Sequence, residues 1–163
     1  MLSYSGYSSH CCFTALFEES LLYPVHSSRD SLKCYRERHL RLGGEPIGEV
    51  DAIAEFDGTC ILVSCKSRVY TAVYDMGRHN VVRNTADHIT RAVENWEALV
   101  AKLRRIPVGD NYDLSVVKDL RGAVITPSVM YVPIEVAEKK SVAGLRYYSS
   151  FGELEVWVSG NGG

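Results

Sequence analysis

Two runs of β-forming residues, separated only by Asp57-Gly58, constrain this chain more than any other feature. Asp-Gly between such runs is a leading hairpin signal, because a type I′ turn needs positive φ at both central positions. A two-residue loop makes Glu49 to Phe56 and Thr59 to Lys66 an antiparallel pair. Phe56 then faces Thr59, Asp51 faces Ser64 and Glu49 faces Lys66. The two-residue period of a strand sorts the side chains. Val50, Ala52, Ala54 and Phe56 share a face with Thr59, Ile61, Val63 and Cys65. That face is apolar nearly throughout and is expected to lie on the core. Glu49, Asp51, Ile53 and Glu55 share the other with Cys60, Leu62, Ser64 and Lys66. This second face is apolar in the middle and polar at the open end, where two acids, a hydroxyl and a lysine converge.

The rest of the chain builds around that hairpin. Phe13, Leu16, Phe17, Leu21 and Leu22 recur at helical spacing, which predicts a helix over Cys12 to Val25 ended by Pro24. Leu32 to Leu42 reads as a strand broken by Gly43 and Gly44. Val69, Tyr70, Val73 and Tyr74 suggest a strand, and Gly77 to Arg83 a loop. Asn84 to Ile106 is the clearest helix, with Ile89, Ala92, Val93, Trp96, Leu99, Val100 and Leu103 on one stripe. Asn84 or Thr85 would cap its start, while Lys102, Arg104 and Arg105 suit its C-terminal dipole. Ala123 to Ile125, Val129 to Val132 and Leu154 to Val158 read as strand pieces. The expected organisation is a flexible N-terminus over 1–11, a single domain over 12–158 and a flexible tail over 159–163. Helix, three strands, helix and strand in that order belong to a mixed α/β sheet flanked by helices.

Composition narrows the functional classes. Hydrophobic residues are 46% of the 163 and charged residues 23%, near the globular average. No apolar run approaches the ~20 residues of a membrane-spanning helix, so no membrane role is expected. Met1 to His10 has no basic n-region, so a signal peptide is not expected and the cytoplasm is the default compartment. A net charge of −2 argues against a strongly basic nucleic-acid binder but leaves local basic patches open. The five cysteines include no CxxC pair, so a zinc ribbon or thioredoxin-type site is not supported and structural thiols are the expectation.

The polar end of the hairpin has the groups that metal-assisted phosphodiester cleavage needs. Oxygen ligands hold Mg²⁺ beside a phosphate, and a cation offsets developing charge. Asp51 is the candidate metal ligand. Lys66 would position the nucleophile, Ser64 would be a weak ligand, and Glu49 would add a carboxylate or simply pair with Lys66.

Gly48-Glu49-Val50-Asp51-Ala52-Ile53-Ala54, the Asp57-Gly58 turn and Ile61-Leu62-Val63-Ser64-Cys65-Lys66-Ser67 together resemble the core of the PD-(D/E)XK nuclease superfamily. The closest flavours are its NERD-like and Mrr-like branches and the nuclease domains of CRISPR ancillary effectors. The resemblance implies a restriction-endonuclease-like αβββαβ core and Mg²⁺- or Mn²⁺-dependent cleavage of nucleic acid, DNA more than RNA, in defence or repair. Asp51 matches the metal-binding aspartate and Lys66 the catalytic lysine. Ser64 falls where a second acid, or a glutamine in Mrr-like members, is expected. A glutamate on the first helix faces the metal in many relatives, and Glu18, then Glu19, fits that place. Arg83, Asp87 and His88 are the candidates from the start of the second helix.

Each of these residues also has a plain structural reading. Glu49 opposite Lys66 is a common cross-strand pair, contributing only ~0.2–1 kcal/mol. Glu18 and Glu19 suit a solvated helix face. Lys33, Arg36, Arg38, His39 and Arg41 either track a phosphate backbone or guard an edge strand. Arg78, His79 and Arg83 either contact phosphates near the site or lie in a solvated loop. The alternative functions are a degenerate nuclease fold that binds nucleic acid or a protein without cleaving, and an interaction domain whose resemblance is accidental. An accidental match should lack a parallel strand beside the hairpin and a helix over its acidic end. A homodimer or a place in a larger multidomain assembly is left open, as is the role of Ile134 to Trp157.

Overall fold

The computed structural model describes residues 32–56, 58–66 and 71–160. The expected first helix, with Glu18 and Glu19, lies outside them. Strands β1 (Leu32–Leu42), β2 (Glu45–Phe56) and β3 (Thr59–Cys65) come first. Helices α1 (Ala72–Asp75) and α2 (His79–Arg105) lead to β4 (Asp119–Thr126). Then follow α3 (Ile134–Ala137), β5 (Lys140–Val142), β6 (Leu145–Arg146), β7 (Tyr148–Ser150) and α4 (Phe151–Gly160). Five strands form one mixed sheet in the order β1-β2-β3-β4-β7, and β5 with β6 forms a small two-stranded one. The β1–β2 and β2–β3 pairs are antiparallel, whereas β4 lies parallel to β3 and β7 parallel to β4. The α/β class and the mixed sheet with flanking helices are as expected.

The hairpin register is as the turn arithmetic requires, from Phe56↔Thr59 through Ala52↔Val63. Gly58 supplies the positive φ of the turn, at 79°. The preceding β1–β2 connection uses Gly43 and Gly44, with φ of 62° and 83°. Their N–H groups donate to the two Asp110 carboxylate oxygens at 3.1 and 2.6 Å, so the turn after α2 pins the edge of the sheet.

A parallel β3–β4 pair needs a long crossover connection, and α2 is the helix on that crossover. It covers one sheet face: Ile89, Val93, Trp96, Val100 and Leu103 pack with Cys60, Leu62, Val124 and Tyr148. The other face is covered as well. Ala52, Ala54, Ile61, Val63, Ala123 and Ile125 pack with Leu154 and Trp157 of α4. The second hairpin face, expected to be mixed, is thus core in its middle, because strands buried on both sides carry apolar residues on both.

Several boundaries differ from the sequence reading. The long helix starts at His79 rather than Asn84, with Arg78 as N-cap. Val81 and Val82 extend its apolar stripe backwards onto the core, and Thr85 is buried rather than capping. Val73 and Tyr74 lie in the short helix α1, where the Thr71 hydroxyl accepts the Tyr74 N–H at 3.2 Å. Val129 to Val132 forms no strand, because tyrosine hydroxyls take its N–H groups: Met130 donates to Tyr148 at 2.9 Å and Tyr131 to Tyr74 at 2.8 Å.

The largest correction is Leu154 to Val158, which is helical, and Ser159 and Gly160 continue that helix rather than opening a tail. Ser150-Phe151-Gly152-Glu153 is a capping box. The Ser150 N–H donates to Glu153 Oε2 at 2.8 Å, and the Glu153 N–H returns a bond to Ser150 Oγ at 3.3 Å. Burial alone would raise the Glu153 pKa, but the Ser150 N–H, the Arg146 guanidinium and the Ser150 hydroxyl outweigh it and hold the carboxyl below its ordinary range.

The helical assignment predicts unequal costs along α4. Leu154, 1% exposed, should lose about 2–5 kcal/mol on truncation to Ala. Val156, 73% exposed, should change by less than about 0.5 kcal/mol. Urea denaturation of the two variants checks this, and equal losses would restore the strand reading. A depressed Glu153 pKa stabilises the fold fully above the ordinary value of 4.5, and that contribution fades as pH falls through the lower folded value. Thermal melts should show Glu153→Gln less stable than wild type at neutral pH, with the gap closing below that range.

Candidate active site

A cleft of about 660 Å³ opens between the polar end of the hairpin and α2. Ile47, Gly48, Trp96 and Leu99 form its apolar walls, while Glu49, Ser64, Lys66, His88, Arg91 and Asn95 supply its polar groups. Gly48 allows β2 to approach the helix, since a Cβ there would lie 2.4 Å from Leu99 Cδ2. Trp96 fixes the helix on the sheet by donating its indole N–H to the Leu62 carbonyl at 3.1 Å.

Four residues expected at the site do line this cleft, three from the hairpin and His88 from α2. Ser64, 4% exposed, pairs with Val124 on the interior edge of β3. Lys66 follows the last residue of β3, and its N–H donates to the Ile125 carbonyl at 2.8 Å, so its backbone is held by β4. Glu49 enters from β2, where its ladder partner is His39 of β1. The expected pairs Asp51↔Ser64 and Glu49↔Lys66 do not form, because the β2–β3 ladder ends at Ala52↔Val63.

Asp51 explains that ending. Alternate N–H groups of β3 point toward β2, and after Val63 the next is that of Cys65. The Asp51 carboxylate takes it, Oδ2 to N at 2.6 Å. Asp51 therefore reaches along the sheet edge between the two strands instead of standing on the face beside Ser64. The alternation of β2 breaks at the same place. Val50 and Ile53 join the core beneath α2, while Ala52 and Ala54 join the opposite one. The β1–β2 ladder shifts register opposite these residues, between Cys34↔Ala52 and Arg38↔Val50. Bulges commonly re-aim side chains in this way. Asp51 thus borders the cleft through the backbone segment from Ser64 to Lys66 rather than lining it.

The basic residues separate into two groups. His88 lines the cleft, whereas Arg78 and Arg83 are exposed on the first turns of α2 and do not. Arg36 and Arg38 lie in β1, an edge strand of the sheet, with Arg38 paired to Val50. Arg91 and Asn95 escaped the sequence reading. They follow His88 by three and seven residues, and that spacing extends one helix flank, so His88 was the signal that pointed to them.

The site's chemistry is that of an anion beside hard oxygen ligands. Lys66 and Arg91 face one cleft carboxylate, Glu49, and His88 adds a titratable group. Glu49 and the Ser64 hydroxyl line the cleft and the Asp51 carboxylate, which accepts the Cys65 N–H, borders it; Mg²⁺ takes one or two such carboxylates and keeps several waters. Among the described residues no cluster of three or more His, Cys, Asp and Glu stands ready to hold a metal. Cys60 is buried and Cys65 half-buried, and neither forms a disulfide. No helix among the described residues is long and apolar enough to cross a membrane. Comparison with protein-family models, curated proteins and solved structures finds no match.

The Asp51 bond has a measurable consequence. Asp51→Ala leaves the Cys65 N–H without its acceptor and should cost about 1–3 kcal/mol, whereas Asp51→Asn retains an acceptor oxygen and should cost less. Urea denaturation distinguishes them, and equal stability of the two would remove Asp51 from this structural role.

Proposed function

We propose that this chain is a metal-dependent nuclease domain of the PD-(D/E)XK type, with a restriction-endonuclease-like core, that hydrolyses phosphodiester bonds in DNA in preference to RNA. The observation that carries this reading is topological. A three-strand meander is followed by a helix and a strand parallel to β3, and the polar cleft sits where the hairpin opens beneath that helix. An accidental likeness of twenty residues would have no reason to bring both features together.

Asp51 and Glu49 would hold Mg²⁺ or Mn²⁺, with Glu18 or Glu19 of the N-terminal segment as further ligands. When bound, the metal supplies Lewis-acid polarisation of the phosphate and a more acidic water. The Lys66 ammonium orients the attacking water and offsets charge on the phosphate oxygens. Arg91 and His88, from the helix side, bind the substrate's phosphates. Ser64 contributes a hydrogen bond but no charge.

Ser64 also favours the second reading, a module that binds nucleic acid or a protein without cutting. Its place is the one where the family has an acid, and it is buried. Cleavage of plasmid, linear and single-stranded DNA and of RNA with Mg²⁺ or Mn²⁺ separates the two. The nuclease reading expects metal-dependent cutting that falls by at least about a hundredfold, some 2.7 kcal/mol of barrier, in both Asp51→Asn and Lys66→Ala. Binding that weakens with salt, with no cutting under either metal, would select the second reading. Cutting that survives both substitutions would overturn this placement of the site.

A further inference from the structure

A second, smaller pocket of about 270 Å³ lies on the opposite flank of α2 and shares no lining residue with the cleft. At 3.6 residues per turn, His88, Arg91 and Asn95 fall on one side of the buried stripe, and Glu97, Ala101 and Arg104 on the other. The turn of chain around β5 closes the pocket from above.

Two hydroxyls in this pocket lack partners. Ser141 Oγ and Tyr147 Oη are buried and make no hydrogen bond among the described residues. Their residues are only 4% and 7% exposed. Buried hydroxyls are ordinarily bonded, so two orphans in one pocket call for an absent partner. The position of Tyr147 is built in by Gly122, where a Cβ would lie 2.4 Å from the tyrosine oxygen.

The charge around these hydroxyls is positive. Arg104, Arg121, Lys139 and Lys140 line the pocket against one carboxylate, Glu97. Lys139 is paired with Glu97 at 2.7 Å and Arg121 with Asp119 at 2.8 Å. Arg104 donates to the Leu120 carbonyl at 2.9 and 2.5 Å, a neutral acceptor, and forms no ion pair among the described residues. Lys140 stands exposed at the rim and pairs with no carboxylate among the described residues.

We infer that this pocket binds a phosphorylated small molecule, a phosphate monoester. The Ser141 and Tyr147 hydroxyls donate to its terminal oxygens, and Arg104 and Lys140 meet its charge. Two hydroxyls, a guanidinium and an ammonium suit the three terminal oxygens of a dianion better than a carboxylate. The volume, about 270 Å³, falls just below the ~300–1,000 Å³ of drug-sized sites and so suits a small phosphate ester. The inference is independent of the nuclease reading.

Inorganic phosphate and a nucleoside 5′-monophosphate serve as probes, with chloride at matched ionic strength as reference, followed by thermal melts and calorimetry. Both probes should raise the melting temperature saturably. Affinity should fall at least tenfold in Lys140→Ala and in Tyr147→Phe. Lys140 is exposed, so its variant should fold and remain informative if Tyr147→Phe does not. No stabilisation beyond chloride, or wild-type affinity in Lys140→Ala, would overturn the proposal. A single-stranded oligonucleotide without terminal phosphate provides the remaining arm. If it displaces the monophosphate at lower phosphate concentration than the monophosphate itself requires, the pocket belongs to a nucleic-acid track and the small-molecule assignment falls.

Discussion

The described structure depends on the pairing of β3 with β4. A parallel neighbour cannot be reached by a tight turn, so the chain must cross over, and the crossover places α2 across the sheet. That covers one face of β3. The residues on its other face, Ile61 and Val63, are then exposed unless a further layer is added, and α4 adds it through Leu154 and Trp157. The cleft is a by-product of the same geometry. Where β2 and β3 separate at their open end, α2 still runs overhead, and the gap between helix and splayed strands leaves room for polar side chains.

Local signals in the sequence were legible where they acted alone. Asp57-Gly58 set the register from Phe56 to Ala52, and the Ile89-to-Leu103 stripe set the facing of the long helix. They failed where tertiary contacts competed. Leu154, Val156 and Val158 alternate as a strand would, but Ser150 and Glu153 cap a helix, and the helix buries Leu154 with Trp157 while Val156 stays in solvent. The Ser-x-x-Glu spacing of that capping box is readable in the sequence, but the strand reading rests on the alternation alone. The start of α2 was misplaced because Val81 and Val82 sit beyond the polar pair Asn84-Thr85, which resembles a cap in sequence but lies inside the helix.

The candidate site was legible in membership more than in geometry. Glu49, Ser64 and Lys66 all line the cleft, but only Ser64 and Lys66 share a face by the period of two, since Val50 beside Glu49 already lies beneath α2. Asp51 does not join them on the face, because a side chain one residue beyond the last ladder pair has a competing use: the Cys65 N–H needs an acceptor and the carboxylate is within reach. Strict alternation assumes that the ladder continues, and no sequence pattern states where two strands part. Arg91 and Asn95 depend on the same crossover helix and became visible only once its flank faced the cleft.

Ser64 determines how such a cleft would operate. An acid at this buried position would bring a charge needing desolvation and a partner, and Lys66 or the metal would supply it. A serine brings none. The cleft lining then sets Lys66 and Arg91 against Glu49, with Asp51 only at its border, so it holds a bare cation more weakly than a three-carboxylate site. Under the nuclease reading, the metal shell is completed by the substrate's own phosphate oxygens and by water, which Mg²⁺ accepts readily. Metal and nucleic acid would then bind cooperatively, each supplying part of what the other lacks. In the non-cleaving module the same charge balance favours the phosphate backbone alone. The two proposed readings thus differ by one ligand set around the same cleft, and Ser64 lies at the point where they diverge.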